Sequence, residues 1–320
     1  MSRPVLVGFD PRRPDWAPVY FGVEAARVTG ARLIVAAVEA GGPEPPLTAG
    51  QMLAYSAANV DPDLLPDCRT MVEEVEATLH AQGIPAECMR LRGSSAAKAL
   101  HEAAERHDAV LLVIGARRRR GPLGSTAVAL MHGSPCPVAV VPSEWGEGRP
   151  LREIGAAYVD SDEAREALRG AYALARRAGA RLRVLSVVDD TPRMYLETET
   201  YKAGQFGKDL EDVEGEHKLW TERHLRRVVA ELGDDVPIEI DVVVGEPADS
   251  LIAVSSHLDL LAMGARGYGP LRAVLLGSVS RRVTAAAHCA VVVLPRGVKA
   301  PLEALAEAGR HPTSATSSTT

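Results

Sequence analysis

Apolar residues fall along this chain in two alternating rhythms. Short unbroken runs such as Val5–Phe9 and Leu258–Met263 predict buried strands, while between them apolar positions recur at helical spacing. Trp16, Val19, Tyr20, Val23 and Ala26 make one helical stripe, and Ala164, Leu168, Ala171, Tyr172 and Ala175 make another. Cys88–Leu91 and the alternating Ile238, Ile240, Val242 and Val244 predict third strands. Small-residue helices are expected to follow them, over Ser95–Arg106 and Ala248–Ser256. Strand and helix in regular alternation favour parallel sheets built from βαβ units.

The rhythm runs twice. Val5-Leu-Val-Gly-Phe-Asp10 matches Ile154-Gly-Ala-Ala-Tyr-Val-Asp160, and Gly30-Ala-Arg-Leu matches Gly179-Ala-Arg-Leu. Val113-Ile-Gly115-Ala-Arg117 matches Ala262-Met-Gly264-Ala-Arg266, and Cys136–Pro142 matches Cys289–Pro295. Such self-similarity marks a tandem duplication. The expected fold is α/β, two tandem domains over residues 1–145 and 151–297, each an open five-stranded parallel sheet flanked by helices. The joint falls in Ser143–Pro150, and residues 298–320 end in a Ser/Thr-rich tail expected to be disordered. Two segments interrupt the plan after the second strands: the Pro/Gly-rich stretch from Gly41, and Asp189–Lys208. They read either as variable surface loops or as lids over a site.

Composition narrows the class. The chain has 320 residues, is 46% hydrophobic and 24% charged, and carries a net charge of −6, which argues against a broad basic nucleic-acid surface. Only 4% of residues are aromatic, too few for base stacking along a groove. Cys68, Cys88, Cys136 and Cys289 lack metal-ligand spacing and read as reduced core thiols. No leader is evident, and every apolar run is far shorter than the roughly 18 residues of a membrane helix, so a cytoplasmic location without membrane partners is expected.

The candidate chemistry concentrates between Met263 and Ser280. A strand ends there, a glycine-bearing loop follows, and a helix begins, so unpaired backbone N–H groups and the positive helix end gather at one point. That is an anion site suited to phosphate. Two residues separate Gly264 from Gly267, nine separate Gly267 from Gly277, and Ser278 follows directly. No Lys-Ser/Thr pair follows as in a Walker loop, and the glycines come after a fourth strand rather than the first, unlike the Rossmann fingerprint.

This spacing, followed by Cys289–Pro295, resembles the nucleotide-binding signature of the universal stress protein family. The resemblance implies a Rossmann-like, adenine nucleotide alpha hydrolase-like fold and ATP as ligand, with Mg²⁺ an open companion. It places phosphate and ribose on Met263, Gly264, Arg266, Gly267, Gly277, Ser278, Val279 and Ser280, with Asp160 at the end of the first strand and Val187 near the adenine. From the residues alone, Asp160 could instead help cap a helix beside Ser161, the glycines could serve tight turns, and Ser278 and Ser280 could be caps. Arg266 and Arg272 read equally as anion contacts or solvated surface.

The first copy departs from the pattern. Its loop from Gly115 to Gly124-Ser125 is four residues shorter than that from Gly264 to Gly277-Ser278, and Arg118 replaces the second glycine, so ATP is not expected there. Arg117–Arg120 is either an anion lure or a solvated basic turn. Phosphoryl transfer needs a metal, a charge clamp and a positioned nucleophile. His257, Asp259 and His288 are scattered and read as structural, so at most slow ATP hydrolysis is expected. The apolar fifth strands, Val138–Val141 and Val291–Leu294, are expected to pair the copies into an intramolecular pseudo-dimer, with a further homodimer and a regulatory protein partner left open. Stress-response regulation by bound ATP in a bacterial cytoplasm is the reading this implies; an ATP-independent interaction module is the alternative.

Overall fold

The computed structural model describes residues 2–11, 14–40, 68–116, 123–189, 210–265, 277–295 and 304–305. In the first half the strands are β1 (Pro4–Phe9), β2 (Arg32–Ala40), β3 (Ala86–Gly93), β4 (Leu111–Gly115) and β5 (Val138–Val141). Its helices are α1 (Ala17–Thr29), α2 (Cys68–Ala81), α3 (Ala96–Arg106) and α4 (Ser125–Gly133). The second half repeats the order with β6 (Glu153–Ala157), β7 (Arg181–Val188), β8 (Ile238–Val244), β9 (Leu260–Gly264) and β10 (Ala290–Leu294). Its helices are α5 (Asp162–Ala178), α6 (Leu210–Ala230), α7 (Pro247–Val254) and α8 (Ser278–Ala286). Helices α2 and α6 went unpredicted: each follows one of the two interrupting segments, which obscure where the helical spacing begins.

All ten strands form one sheet in the order β3-β2-β1-β4-β5-β10-β9-β6-β7-β8. Within each half every pairing is parallel. At the centre β5 and β10 pair antiparallel, Val138 with Val293, Ala139 with Val292 and Val140 with Val291. The strands of the two halves therefore run in opposite senses, and their carboxyl ends lie on opposite edges of the sheet.

Composition along each strand follows its place. Strands β4, β5, β9 and β10 lie inside the sheet with helices on both faces, so they are apolar almost throughout. The outermost β3 and β8 carry Glu87, Arg90 and Arg92, and Glu239 and Asp241, as exposed edges do. One core runs across both halves beneath α1, α2, α5 and α6, and a second lies beneath α3, α4, α7 and α8. Leu6, Leu112, Ile154 and Val292 are fully shielded, and burying each such side chain contributes about 1.5–3 kcal/mol.

The repeated Gly-Ala-Arg-Leu has a local cause. Gly30 (φ 71°) and Gly179 (φ 66°) end α1 and α5 in the left-handed conformation, and their N–H groups donate to Ala26 and Ala175. The chain reverses there and enters β2 or β7.

Residues 143–150 are anchored through Trp145 and Arg149. Trp145, 2% exposed, meets Phe21 edge-on at 5.2 Å, and the Arg149 guanidinium lies 4.6 Å above the indole. Arg149 pairs with Asp259 at 3.0 Å, and Asp259 also accepts from the N–H groups of Arg152 and Glu153. The structural role read for Asp259 is thus concrete: it fastens the entry of β6 to the start of β9. Across the halves, Glu24 accepts from Leu151 N–H and Arg177 donates to the Thr29 carbonyl.

Val292→Ala removes buried methyl groups at the central pairing. It should cost about 1.5–3 kcal/mol in urea denaturation, with amide exchange rising in both halves together. A rise confined to one half would show that the halves fold independently.

Candidate functional site

Parallel α/β sheets offer ligand sites outside the carboxyl ends of their strands, where helices begin. In the second half, β6 delivers Tyr158 and Asp160 to that edge, β7 delivers Val187, and β9 delivers Met263 and Gly264. Met263 is buried in register with Val293, and Gly264 pairs with Leu294. Helix α8 starts just beyond, with Gly277 at its N-cap and no side chain capping the first turn. Among the described residues no side chain caps these first-turn N–H groups, and such a helix end favours an anion.

The base of the loop is fixed at several points. Ala265 N–H donates to Leu294, and Gly277 N–H donates to Ala265, each at 2.9 Å. The buried Ser280 hydroxyl donates to the carbonyls of Gly264 and Ala265, both at 3.0 Å. Ser280 was expected to face phosphate; its hydroxyl instead ties α8 to the end of β9. Ser278 is exposed on the first turn and Val279 is half-buried. Arg282 holds α8 to the start of α7 through Glu246 at 2.9 Å and Asp249 at 2.6 Å. Arg266, Gly267 and Arg272 lie outside the described residues, as do Arg117–Arg120, the interrupting stretches from Gly41 and from residue 190, and the Ser/Thr-rich tail.

Gly264 has a packing reason for lacking a side chain. A Cβ there would sit 3.0 Å from Glu163 Cβ and 3.3 Å from the Glu163 carbonyl carbon, in the first turn of α5. Helix and strand end approach this closely only across a glycine.

Asp160 does not cap α5; Ser161 does, accepting from Ala164 N–H at 3.2 Å. Asp160 is more than half exposed and pairs with Arg165 at 2.5 Å. The hydrogen bond from Arg165 holds its carboxyl below the ordinary 3.8. An aromatic face on α6 was not anticipated: Trp220 stacks on His224 at 5.4 Å, and His224 lies 6.2 Å from Tyr158. The signal was present in His217, Trp220 and His224, which share one helical stripe.

The corresponding edge of the first half holds a cavity of about 740 Å³. Phe9, Asp10, Asp15, Val38, Leu100, Ile114, Gly115, Ser125 and Thr126 are among its walls. Prolines at 11 and 14 delay the start of α1, so Asp15 stands where the second half has the buried Ala164. Asp15 Oδ1 accepts from Ala17 N–H at 3.0 Å, and Oδ2 lies against Gly115. Burial raises its carboxyl above the ordinary 3.8, opposed by the Ala17 hydrogen bond and reinforced by the charge of Glu144. Ala127 occupies the place of Ser280, so the hydroxyl tie is missing from this copy. Thiol chemistry is disfavoured at Cys136 and Cys289, which burial pushes up to about 12.

The sheet and its helix layers define the class, a Rossmann-like α/β protein built in tandem. The model of the universal stress protein family matches residues 1–142 and 150–295, and the chain belongs to that family. A universal stress protein of Mycobacterium tuberculosis is 31% identical over 207 residues, covering 58% of this chain and 62% of that protein. The match thus spans less than two-thirds of the relative's length. One from Methanocaldococcus jannaschii is 31% identical over 141 residues, 43% of this chain and 79% of its own. Among solved structures, a universal stress protein of Archaeoglobus fulgidus aligns with TM-score 0.62 at 17% identity, over 91% of this chain and 98% of its own. A functionally unknown protein of Pseudomonas aeruginosa aligns with TM-score 0.60, also at 17% identity, over 96% of both chains. These structural likenesses speak to fold.

Two outcomes follow. Gly264→Ala should destabilise the fold by about 1–3 kcal/mol in thermal or urea unfolding, because the atoms it meets are Cβ and backbone rather than flexible side-chain ends. Arg165→Ala should let Asp160 titrate nearer 3.8 in carboxyl-detected NMR. The stability given by that pair is present above 3.8 and lost as pH falls through the lowered value, so any difference between variant and parent should vanish in acid.

Proposed function

We propose that this chain is a nucleotide-dependent stress-response regulator that binds ATP in its second half. The carrying observation is the strand end and uncapped α8 N-terminus at Gly264 and Gly277, held rigidly by Ser280, Ala265 and Leu294. A site of fixed backbone donors suits the phosphates of a nucleotide, because no rearrangement is needed on binding. In this reading Gly267 and Arg266 complete the phosphate loop, Ser278 and Val279 donate from the first turn, Asp160 reaches the ribose, and Val187 borders the adenine. Ser280 acts by positioning. When bound, Mg²⁺ would neutralise phosphate charge, and Asp160 could supply a carboxylate to it.

The role is binding rather than turnover: Asp160 is engaged with Arg165, and His257 lies in a 3₁₀ turn remote from α8's first turn in sequence. The occupied site would present a different surface to a protein partner in the cytoplasm. A second reading, an interaction module independent of nucleotide, draws on the exposed Leu219 and Trp220 of α6.

Mass spectrometry and absorbance of small molecules released on denaturing the purified protein test the proposal beside Gly267→Arg. About one nucleotide per chain is expected in the parent and none in the variant, since a side chain at residue 267 blocks phosphate from the backbone. No nucleotide, and no thermal shift when ATP is added back at saturating concentration, would overturn it in favour of the interaction module.

A further inference from the structure

The first half holds a cavity at the carboxyl edge of its strands, although its loop is four residues shorter in sequence than that of the second half. Among the described residues lining it there are two carboxylates, Asp10 and Asp15, and neither lysine nor arginine. Asp15 is the more telling. One of its oxygens is held by Ala17 N–H, which fixes the side chain, and the other faces Gly115, where β4 ends and the shortened loop departs. A phosphate seated in the manner of the second half would approach that same strand end and meet a carboxylate there. No cation among the described residues pairs with Asp15, and the nearby charge of Glu144 is of the same sign. Among the described residues Phe9, Pro18, Val38, Leu100 and Ile114 give the wall an apolar part, with hydroxyls from Ser125, Thr126 and Ser143. A volume of about 740 Å³ lies in the range that encloses small organic ligands.

We infer that the first half binds an organic cation free of phosphate, its protonated nitrogen donating to Asp15 and its apolar body lying against Phe9, Val38, Leu100 and Ile114. A half-buried carboxylate with no cation partner among the described residues gains from a ligand that supplies a charge-assisted hydrogen bond. This inference does not rest on ATP binding in the second half.

Matched probes decide it. Tryptamine and indole-3-acetate share an aromatic body and carry opposite charges. Calorimetric titration of the full chain should show tryptamine binding at least about tenfold more tightly than indole-3-acetate, a difference of about 1.4 kcal/mol. Asp15→Asn keeps the oxygen that accepts from Ala17 and should erase the preference without lowering the melting temperature. Ala96→Trp, which fills the cavity from the first turn of α3, should remove tryptamine binding altogether. The inference falls if tryptamine fails to bind at millimolar concentration, or if Asp15→Asn leaves its affinity unchanged. It falls equally if indole-3-acetate or ATP takes the cavity as tightly and loses it in Ala96→Trp, an outcome that would assign the site to anions drawn by Arg117–Arg120.

Discussion

Everything in this molecule depends on the antiparallel meeting of β5 and β10. Each half alone would end in a short apolar strand with unpaired backbone groups, an edge that invites indiscriminate pairing. Joined, the two edges complete each other's hydrogen bonds and make both helix-covered cores continuous from one half to the other. Trp145, Arg149 and Asp259 then close the outside of that seam, so the segment between the copies is an integral part of the packing.

Much of the architecture was legible because its causes are local. Unbroken apolar runs reveal strands covered on both faces, and the doubled Gly-Ala-Arg-Leu reveals the duplication because the same helix ending and chain reversal recur at Gly30 and Gly179. What escaped the sequence depends on contacts between distant residues. The role of Ser280 turns on two carbonyls fifteen and sixteen positions away, and nothing in its neighbours shows that its hydroxyl points back to the strand. Gly264 reads as a turn glycine until the first turn of α5 is seen against it. Asp15 looks like any polar residue before a helix until the prolines ahead of it shorten α1 and leave its carboxylate beside Gly115.

The copies therefore share a frame and differ in detail. One has a serine that locks its loop base and an alanine in the first turn of its first helix; the other has alanine at the first position and an aspartate at the second. Neither exchange alters the strand order or the helix layers. One frame thus accommodates different side chains at the same two positions, because the fold depends on neither of them.

The opposed senses of the two halves carry an electrical meaning. In each half the helices start at the carboxyl edge of the sheet, so their aligned peptide dipoles place a positive end along that edge and a negative end along the other. Because β5 and β10 meet antiparallel, the second half reverses the arrangement of the first. The two fields cancel at long range and persist only close to each edge. Near a charged surface the molecule would feel little torque from its backbone, and a ligand would sense either site only on near approach.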